Sequence, residues 1–328
     1  MFESLIEALR AVAREPGQQL ASADARTFAP FLATSLIIAA AIAIAVRSRA
    51  PIRALLSPRI WWHPSSRMDV RLILTNAFLT PLLIAPVLVS AMAIAVFVFE
   101  RLTAWLGPAG ASSLPTWAIV LIYSVTLFVA WDASRYLVHR LLHQVPALWE
   151  FHKVHHSAER LTPLTVARVH PVESLLISLR GALVTGVLTG LFFYLFADRA
   201  LQWTLLGTSG VGLLFNALGA NLRHSHVWLS YGPAIERVLM SPAQHQLHHS
   251  MDPRDHDANY GSALAVWDWL AGSLRLAGRR RELEFGLPAA ELNHDPHRAS
   301  TAVTGPVIAC AKRLRRLIPR NRALEPTS

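Results

Sequence analysis

Five long apolar runs decide what this chain can fold into. Residues 27–46 form an uncharged run of 20 between Arg26 and Arg47. Residues 72–99 form an uncharged run of 28, which Pro81 and Pro86 should bend. Three more cover 114–131, 174–197 (with Arg180 near its start) and 200–222. A helix of about 20 apolar residues crosses a bilayer, and a chain of 328 residues has too little polar surface to enclose five of them in water. Charged residues make up 16% of the chain, against about 25% in an ordinary soluble domain. Disorder is excluded, since it needs low hydrophobicity and high charge. The expected fold is an all-α integral membrane helical bundle of about five spans.

Arginine placement gives an orientation. Residues 47–71 hold six arginines and one acid, Asp69, and are expected on the cytoplasmic side. The link 100–113 has one arginine and should face the other way. Asp198 and Arg199 are the only break between the fourth and fifth runs, so these read as a tight hairpin. Five spans with the amino terminus outside satisfy all of this. The localisation expected is a membrane, the bacterial inner membrane, with any site after the third and fifth runs facing the cytoplasm. The carboxyl-terminal stretch carries Lys312, Arg313, Arg315, Arg316, Arg320 and Arg322 before Glu325, a pattern that suits anionic lipid headgroups. No basic patch is interleaved with aromatics, so nucleic acid is not an expected partner.

Fifteen histidines are the unusual quantity. Eight fall in three clusters: His139 and His143; His152, His155 and His156; His245, His248 and His249. Spacings of three and four place side chains on one helix face. Each cluster therefore presents two or three imidazoles to one point, and eight are enough for two metal ions. Imidazole suits iron, zinc and copper. The clusters follow the third and fifth apolar runs, so both arrive at the same membrane face. The sequence has no HExxH, the usual pattern of a hydrolytic zinc site. It also lacks the Glu and ExxH pairs of a soluble carboxylate-bridged di-iron centre. A histidine-rich site for two ions fits oxygen activation by non-haem iron. Carboxylates that accept the second ring N–H orient such ligands, and Asp132, Glu173 and Asp257 are the candidates. The single Cys310 excludes a disulfide scaffold, a cysteine-held iron–sulfur centre and covalent haem attachment.

A wider set of residues carries a family resemblance. It includes Asp132 and Tyr136 ahead of His139-Arg140 and His143, then Leu148-Trp149-Glu150-Phe151-His152 and His155-His156-Ser157. It continues through His170-Pro171-Val172-Glu173, Asn221-Leu222-Arg223-His224 and Ser241-Pro242 before His245 and His248-His249. It closes with Asn259-Tyr260-Gly261 and Trp267-Asp268-Trp269-Leu270-Ala271-Gly272. Over residues 131–276 the chain resembles the fatty acid hydroxylase, or sterol desaturase, superfamily of integral membrane di-iron oxygenases.

The resemblance implies metal ligation by His139, His143, His152, His155, His156, His245, His248 and His249, with His224 as a ninth ligand. It implies a cytoplasmic histidine-rich helical cap over the membrane bundle, holding the two metals. His170 is expected near the site, with ligation open; His226 and His256 are each left as a ligand, a group behind the ligands or a surface residue. His63, His294 and His297 lie outside the pattern and are expected in solvent. The domains expected are 1–113, a membrane region with two spans; 114–276, the catalytic domain; and 277–328, a basic cytoplasmic tail. The activity implied is hydroxylation, or desaturation, of a lipid C–H bond by O2 at two iron ions, with zinc as a possible substitute in purified protein. No haem-binding HPGG, ferredoxin cysteines or GxGxxG after a strand is found, so electrons must come from a separate ferredoxin, cytochrome or reductase. The alternatives are a zinc-dependent membrane hydrolase or isomerase and a divalent metal transporter. The latter is disfavoured because ionisable groups are nearly absent from the spans. An apolar tunnel among the third to fifth spans is expected to admit lipid, with Gly186, Gly190, Gly207, Gly210 and Gly212 either leaving room for it or letting helices pack closely.

Overall fold

Prolines set where many of the helices begin. In the computed structural model, which describes residues 29–79, 90–109, 112–196, 215, 217, 219–292 and 295–317, Pro51, Pro58, Pro146 and Pro242 occupy the first or second helical position. A missing N–H costs nothing there. The helices are α1 (Ala29–Ala45), α2 (Ala50–Leu56), α3 (Pro58–Trp61), α4 (Pro64–Leu79), α5 (Ala91–Leu106) and α6 (Thr116–Gln144). They continue with α7 (Pro146–His156), α8 (Pro171–Phe196), α9 (Pro242–His248), α10 (Val266–Leu270) and α11 (Ala299–Leu317). Among the described residues there is no strand, only two isolated bridges, Leu239 with Leu264 and Ser250 with Phe285.

Among the described residues two helices, α6 and α8, are long and apolar enough to cross a membrane. Both present large apolar side chains outward, among them Trp117, Leu121 and Val125 on α6 and Leu183 and Val187 on α8. They pack on each other through Ile119, Tyr123 and Leu127 against Phe192, and Tyr123 Oη lies 2.7 Å from Thr189 Oγ1. On its other side α8 meets α5. A Cβ on Gly186 would lie 2.5 Å from Ile94 Cβ, and one on Gly190 would strike the Ala95 carbonyl and Val98. These two glycines therefore serve close helix approach and leave no room for a tunnel at that contact. Gly207, Gly210 and Gly212 lie outside the described residues, as does most of the expected fifth span.

The expected bent span over 72–99 falls on the end of α4 and the start of α5, and residues 80–89 between them, with Pro81 and Pro86, lie outside the described residues. Helix α4 starts at Pro64, inside the arginine-rich segment. It belongs to a second layer: Met68 and Leu72 pack with Val154 of α7 and Ala302 of α11. The stretch 299–317, expected as part of a basic tail, is thus in large part a packed helix. Arg313 of α11 donates to Glu150 of α7 at 2.7 Å, and Lys153 pairs with the same carboxylate.

One buried arginine joins the pieces of this layer. Arg168, fully enclosed, donates to the carbonyls of Val154, Ser65, Ser157 and Pro296 and to Asp69 Oδ1. Asp69 also accepts from Thr162 and Thr165. A guanidinium offers five donors and no acceptor, which suits a junction of loose carbonyls.

Replacing Arg168 by Met should leave the Asp69 carboxylate buried without its cation, a loss of about 3–5 kcal/mol. Thermal unfolding of the detergent-solubilised protein should show a clearly lowered midpoint. The double change Asp69→Leu with Arg168→Met should recover part of it.

Candidate metal centre

The turn at Val145-Pro146 folds the histidines of α6 and α7 together. A residue before proline is held out of the helical region, and Val145 is extended at φ −93°, ψ 112°. Helix α7 therefore doubles back along the end of α6. The His143 ring comes within 4.7 Å, centroid to centroid, of both His152 and His156. Helix α9 is short but firmly started: Ser241 and Gln244 form a reciprocal capping box with Pro242 between them. Gln246 Nε2 donates to the carbonyls of Leu222 and Val227, which ties α9 to the 3-10 turn Ala220–His224.

The nine histidines expected as ligands gather in two buried nests. His139, His143, His152, His156 and His248 form one, and His155, His224, His245 and His249 form the other, with the ring nitrogens of each within 4.8 Å of one another. The nests adjoin. His156 of the first stacks on His249 of the second with centroids 4.4 Å apart.

Hydrogen bonds assign the tautomers of the first nest. His139 Nδ1 donates to the Tyr260 carbonyl at 2.7 Å, and His248 Nδ1 to the Ala258 carbonyl at 2.8 Å. His152 Nδ1 donates to Glu173 Oε1 at 2.9 Å. A neutral imidazole has one N–H, so the Nε2 atoms of all three carry lone pairs. Yet His139 Nε2 lies 3.1 Å from both His152 Nε2 and His248 Nε2. No proton is left to share between them. His143 Nε2 and His156 Nε2 are buried in the same nest with no hydrogen-bond partner.

In the second nest the Nε2 contacts along the series His155, His224, His245 and His249 are 3.3, 3.0 and 3.3 Å. Burial lowers the pKa of His152, His156, His245 and His249 well below 6.5. It lowers that of His155 to about 3 and that of His248 to about 4. These rings are neutral at neutral pH, which is the state that binds metal. Two nitrogens bound to one ion at about 2.1 Å, at angles of about 90–110°, stand roughly 3.0–3.4 Å apart. The donor set therefore fits one divalent cation in each nest, and all-imidazole donors suit iron, zinc or copper.

Of the three candidate carboxylates, Glu173 alone touches a nest ring. Asp132 is buried and accepts from the backbone of Ala263 and Leu264 and from Trp267 Nε1. It holds the loop behind Tyr260 instead of facing water. Asp257 accepts from Tyr260 Oη at 3.0 Å. His170 joins neither nest: its Nε2 bonds the Val303 carbonyl, and its Nδ1 accepts from Val172 N–H at the start of α8. His226 lines a groove of about 800 Å³ that no nest histidine lines. His256 lines a cavity of about 150 Å³ alongside His143, His156, His248 and His249 without joining their cluster. His63 and His297 are not free in solvent, since both approach the Glu159 carboxylate, at 3.9 and 3.1 Å. His294 is outside the described residues.

The groups that set the tautomers were mostly absent from the sequence reading. Two of the three acceptors are backbone carbonyls on the segment 257–261. Asp257 and Asn259 there adopt φ +54° and +58°, a conformation these residue types tolerate. Asn259 Nδ2 donates to the Gln244 carbonyl, and Asp268 accepts from the N–H groups of Tyr260 and Gly261. The available signal was the Asn259-Tyr260-Gly261 and Trp267-Asp268-Trp269 pattern.

Residues 124–273 match the family model described as fatty acid hydroxylase. The chain is similar to ornithine lipid hydroxylase OlsE of Rhizobium tropici, 30% identical over 171 residues, or 52% of this chain and 47% of that protein. It is 28% identical over 164 residues to alkylglycerol monooxygenase of Homo sapiens, covering 49% of this chain and 32% of that one. It is 28% identical over 166 residues to fatty acid hydroxylase vlmA of Lecanicillium sp, covering 49% and 44%. In each case less than half the relative's length is matched. No solved structure matches the chain. The stretch 124–273 contains all nine nest histidines together with Asp132, Glu173, Tyr260 and Asp268, so the similarity to the fatty acid hydroxylase family falls on the candidate metal centre.

Proposed function

We propose that this chain is a membrane-embedded di-iron oxygenase that uses O2 and external electrons to hydroxylate a C–H bond of a lipid. The observation that carries the reading is the set of imidazole nitrogens converging at 3.0–3.3 Å in two adjoining nests, with three of the inward nitrogens of the first nest left as lone pairs. The relatives are named for activities on ornithine lipid, alkylglycerol and fatty acid, which supports a lipid as substrate and hydroxylation over desaturation. Iron bound in the nests would supply the activation of O2 needed to oxidise an unactivated C–H bond.

The chain's own residues hold and orient. Glu173 and the carbonyls of Tyr260 and Ala258 keep the Nδ1 protons in place, so each ring offers its Nε2 inward. Tyr260 covers the first nest, with its ring centroid 5.2 Å from that of His143.

Helix length supports the placement of the site. The 29 residues of α6 extend about 44 Å, well beyond a hydrocarbon core of about 30 Å. Its histidines, in the last two turns, thus belong to the headgroup region or beyond. Glu173, in the first turn of the antiparallel α8, belongs at the same face. In our reading this face is cytoplasmic, the bundle has about five spans, and the catalytic domain is 114–276. A soluble electron donor with an acidic surface would be attracted to the basic exterior.

Metal analysis should find about two irons per chain after anaerobic loading, one for each nest. His139→Ala and His245→Ala should each remove about one and abolish turnover, read as loss of a lipid product heavier by one oxygen. A protein that keeps both irons in these variants would refute the assignment. Separately, Glu173→Leu removes the acceptor of His152 Nδ1. It should weaken metal binding by about 10–100-fold, measured by competition with a chromophoric chelator.

A further inference from the structure

Beside the nests lies a cavity of about 70 Å³, between α6, α8 and the 220–224 turn. His139, His152, His155, His224 and His245 line one wall. Three arginines line it as well: Arg135 of α6, Arg180 of α8 and Arg223 of the turn. Arg180 is 9% and Arg223 3% exposed. No carboxylate of the described residues comes within 4.0 Å of any of the three guanidiniums.

The hydrogen bonds of Arg180 are one-sided. Its Nη1 donates to the Trp131 carbonyl and to Ser134 Oγ, both at 2.9 Å. The Trp131 ring covers its face at 4.0 Å. Its Nε and Nη2 are buried with no acceptor. Those two atoms form the side-on fork of a guanidinium, which matches the two oxygens of a carboxylate or phosphate. Arg223 uses only its Nε locally, on the Ala220 carbonyl at 2.9 Å. Neither nearby acid pairs with these guanidiniums, although Glu173 also lines the cavity. Asp132 holds three donors of the 263–267 loop, and Glu173 holds His152 while its Oε2 stands unpaired. Donors left unmade at this depth are costly. The arrangement asks for an anion.

We propose that this cavity receives an oxyanion, carboxylate or phosphate, carried on the lipid that the metal centre oxidises. The inference rests on the oxygenase reading for what happens next to the anion, but not for the anion's binding. The cavity holds a group of roughly five to seven heavy atoms, since each water-sized volume needs about 10–15 Å³. An acidic head fits and an acyl chain does not. Val138, Leu142, Val169 and Ile177 also line the cavity and give the adjoining carbons an apolar wall. The arginines thus fix which carbon stands at the histidine wall by holding the charged end, so the oxidised position is counted from the headgroup and not from the chain terminus.

The test uses the full, iron-loaded chain in dodecyl maltoside and measures binding by displacement of a fluorescent fatty acid. The competitors share one acyl chain: an N-acyl amino acid, its primary amide, a lysophosphatidic acid and a monoacylglycerol. At least one acidic lipid should bind tenfold or more tightly than its neutral counterpart. Arg180→Gln should erase that preference, as should Arg223→Gln, with iron content and unfolding midpoint confirming folded protein. Inorganic phosphate and acetate at millimolar concentration should not compete. Equal binding of acidic and neutral lipids by the wild-type chain, which needs no variant, overturns the proposal. So does a preference that survives both substitutions. Displacement by free phosphate as effective as by lysophosphatidic acid would assign the cavity to a free anion and also overturn it. Absence of any oxidised product, with charge-selective binding intact, would instead count against the oxygenase reading alone.

Discussion

Three imidazole rings of the first nest have their single N–H already bound to an oxygen, and their remaining nitrogens face one another at hydrogen-bonding distance. Lone pairs in that position repel unless a cation lies between them. Much of the surrounding architecture bears on keeping them there. Asp132 and Asp268 hold the 257–267 segment, which presents two of the three oxygens. The capping box of α9 and Gln246 hold the opposite wall. The Arg168–Asp69 junction keeps α4 and α7 in register behind it.

The gathering of these histidines was legible because helical spacing writes itself into sequence. His139 with His143, the trio at 152–156 and the trio at 245–249 each lie on one helix face. Three members of the second nest, His155, His245 and His249, belong to those same clusters, so sequence could not show which imidazoles would share an ion. That division depends on helix crossing and on the Pro146 turn. His224 sits alone on a 3-10 turn and was found only through family resemblance. The acceptors of His139 and His248 were invisible because every residue has a carbonyl, and only tertiary structure selects Tyr260 and Ala258. Glu173 was found among three candidates that chemistry alone could not rank.

Hydropathy was a fair guide to α6 and α8, while over residues 72–99 it ran two helices together. The apolar pattern there merges the buried face of α4, which packs on α7 and α11, with the outward face of α5. Burial in protein and burial in lipid select the same side chains. Composition therefore cannot divide such a run. Gly186 and Gly190 illustrate the same limit: a missing side chain is either empty space or the place where a neighbouring backbone fits, and here α5 fills it.

His155-His156 and His248-His249 are neighbours in the chain that look into different nests. A peptide bond therefore connects the two ion positions on α7 and again at the end of α9. Neither helix can shift toward one position without leaving the other. Ordering these two dipeptides around a first ion would arrange most of the second position in advance, so loading should be cooperative, the first ion bearing the larger share of the ordering entropy. A population of such chains with too little iron would then consist mainly of empty and fully loaded molecules, with few carrying one ion.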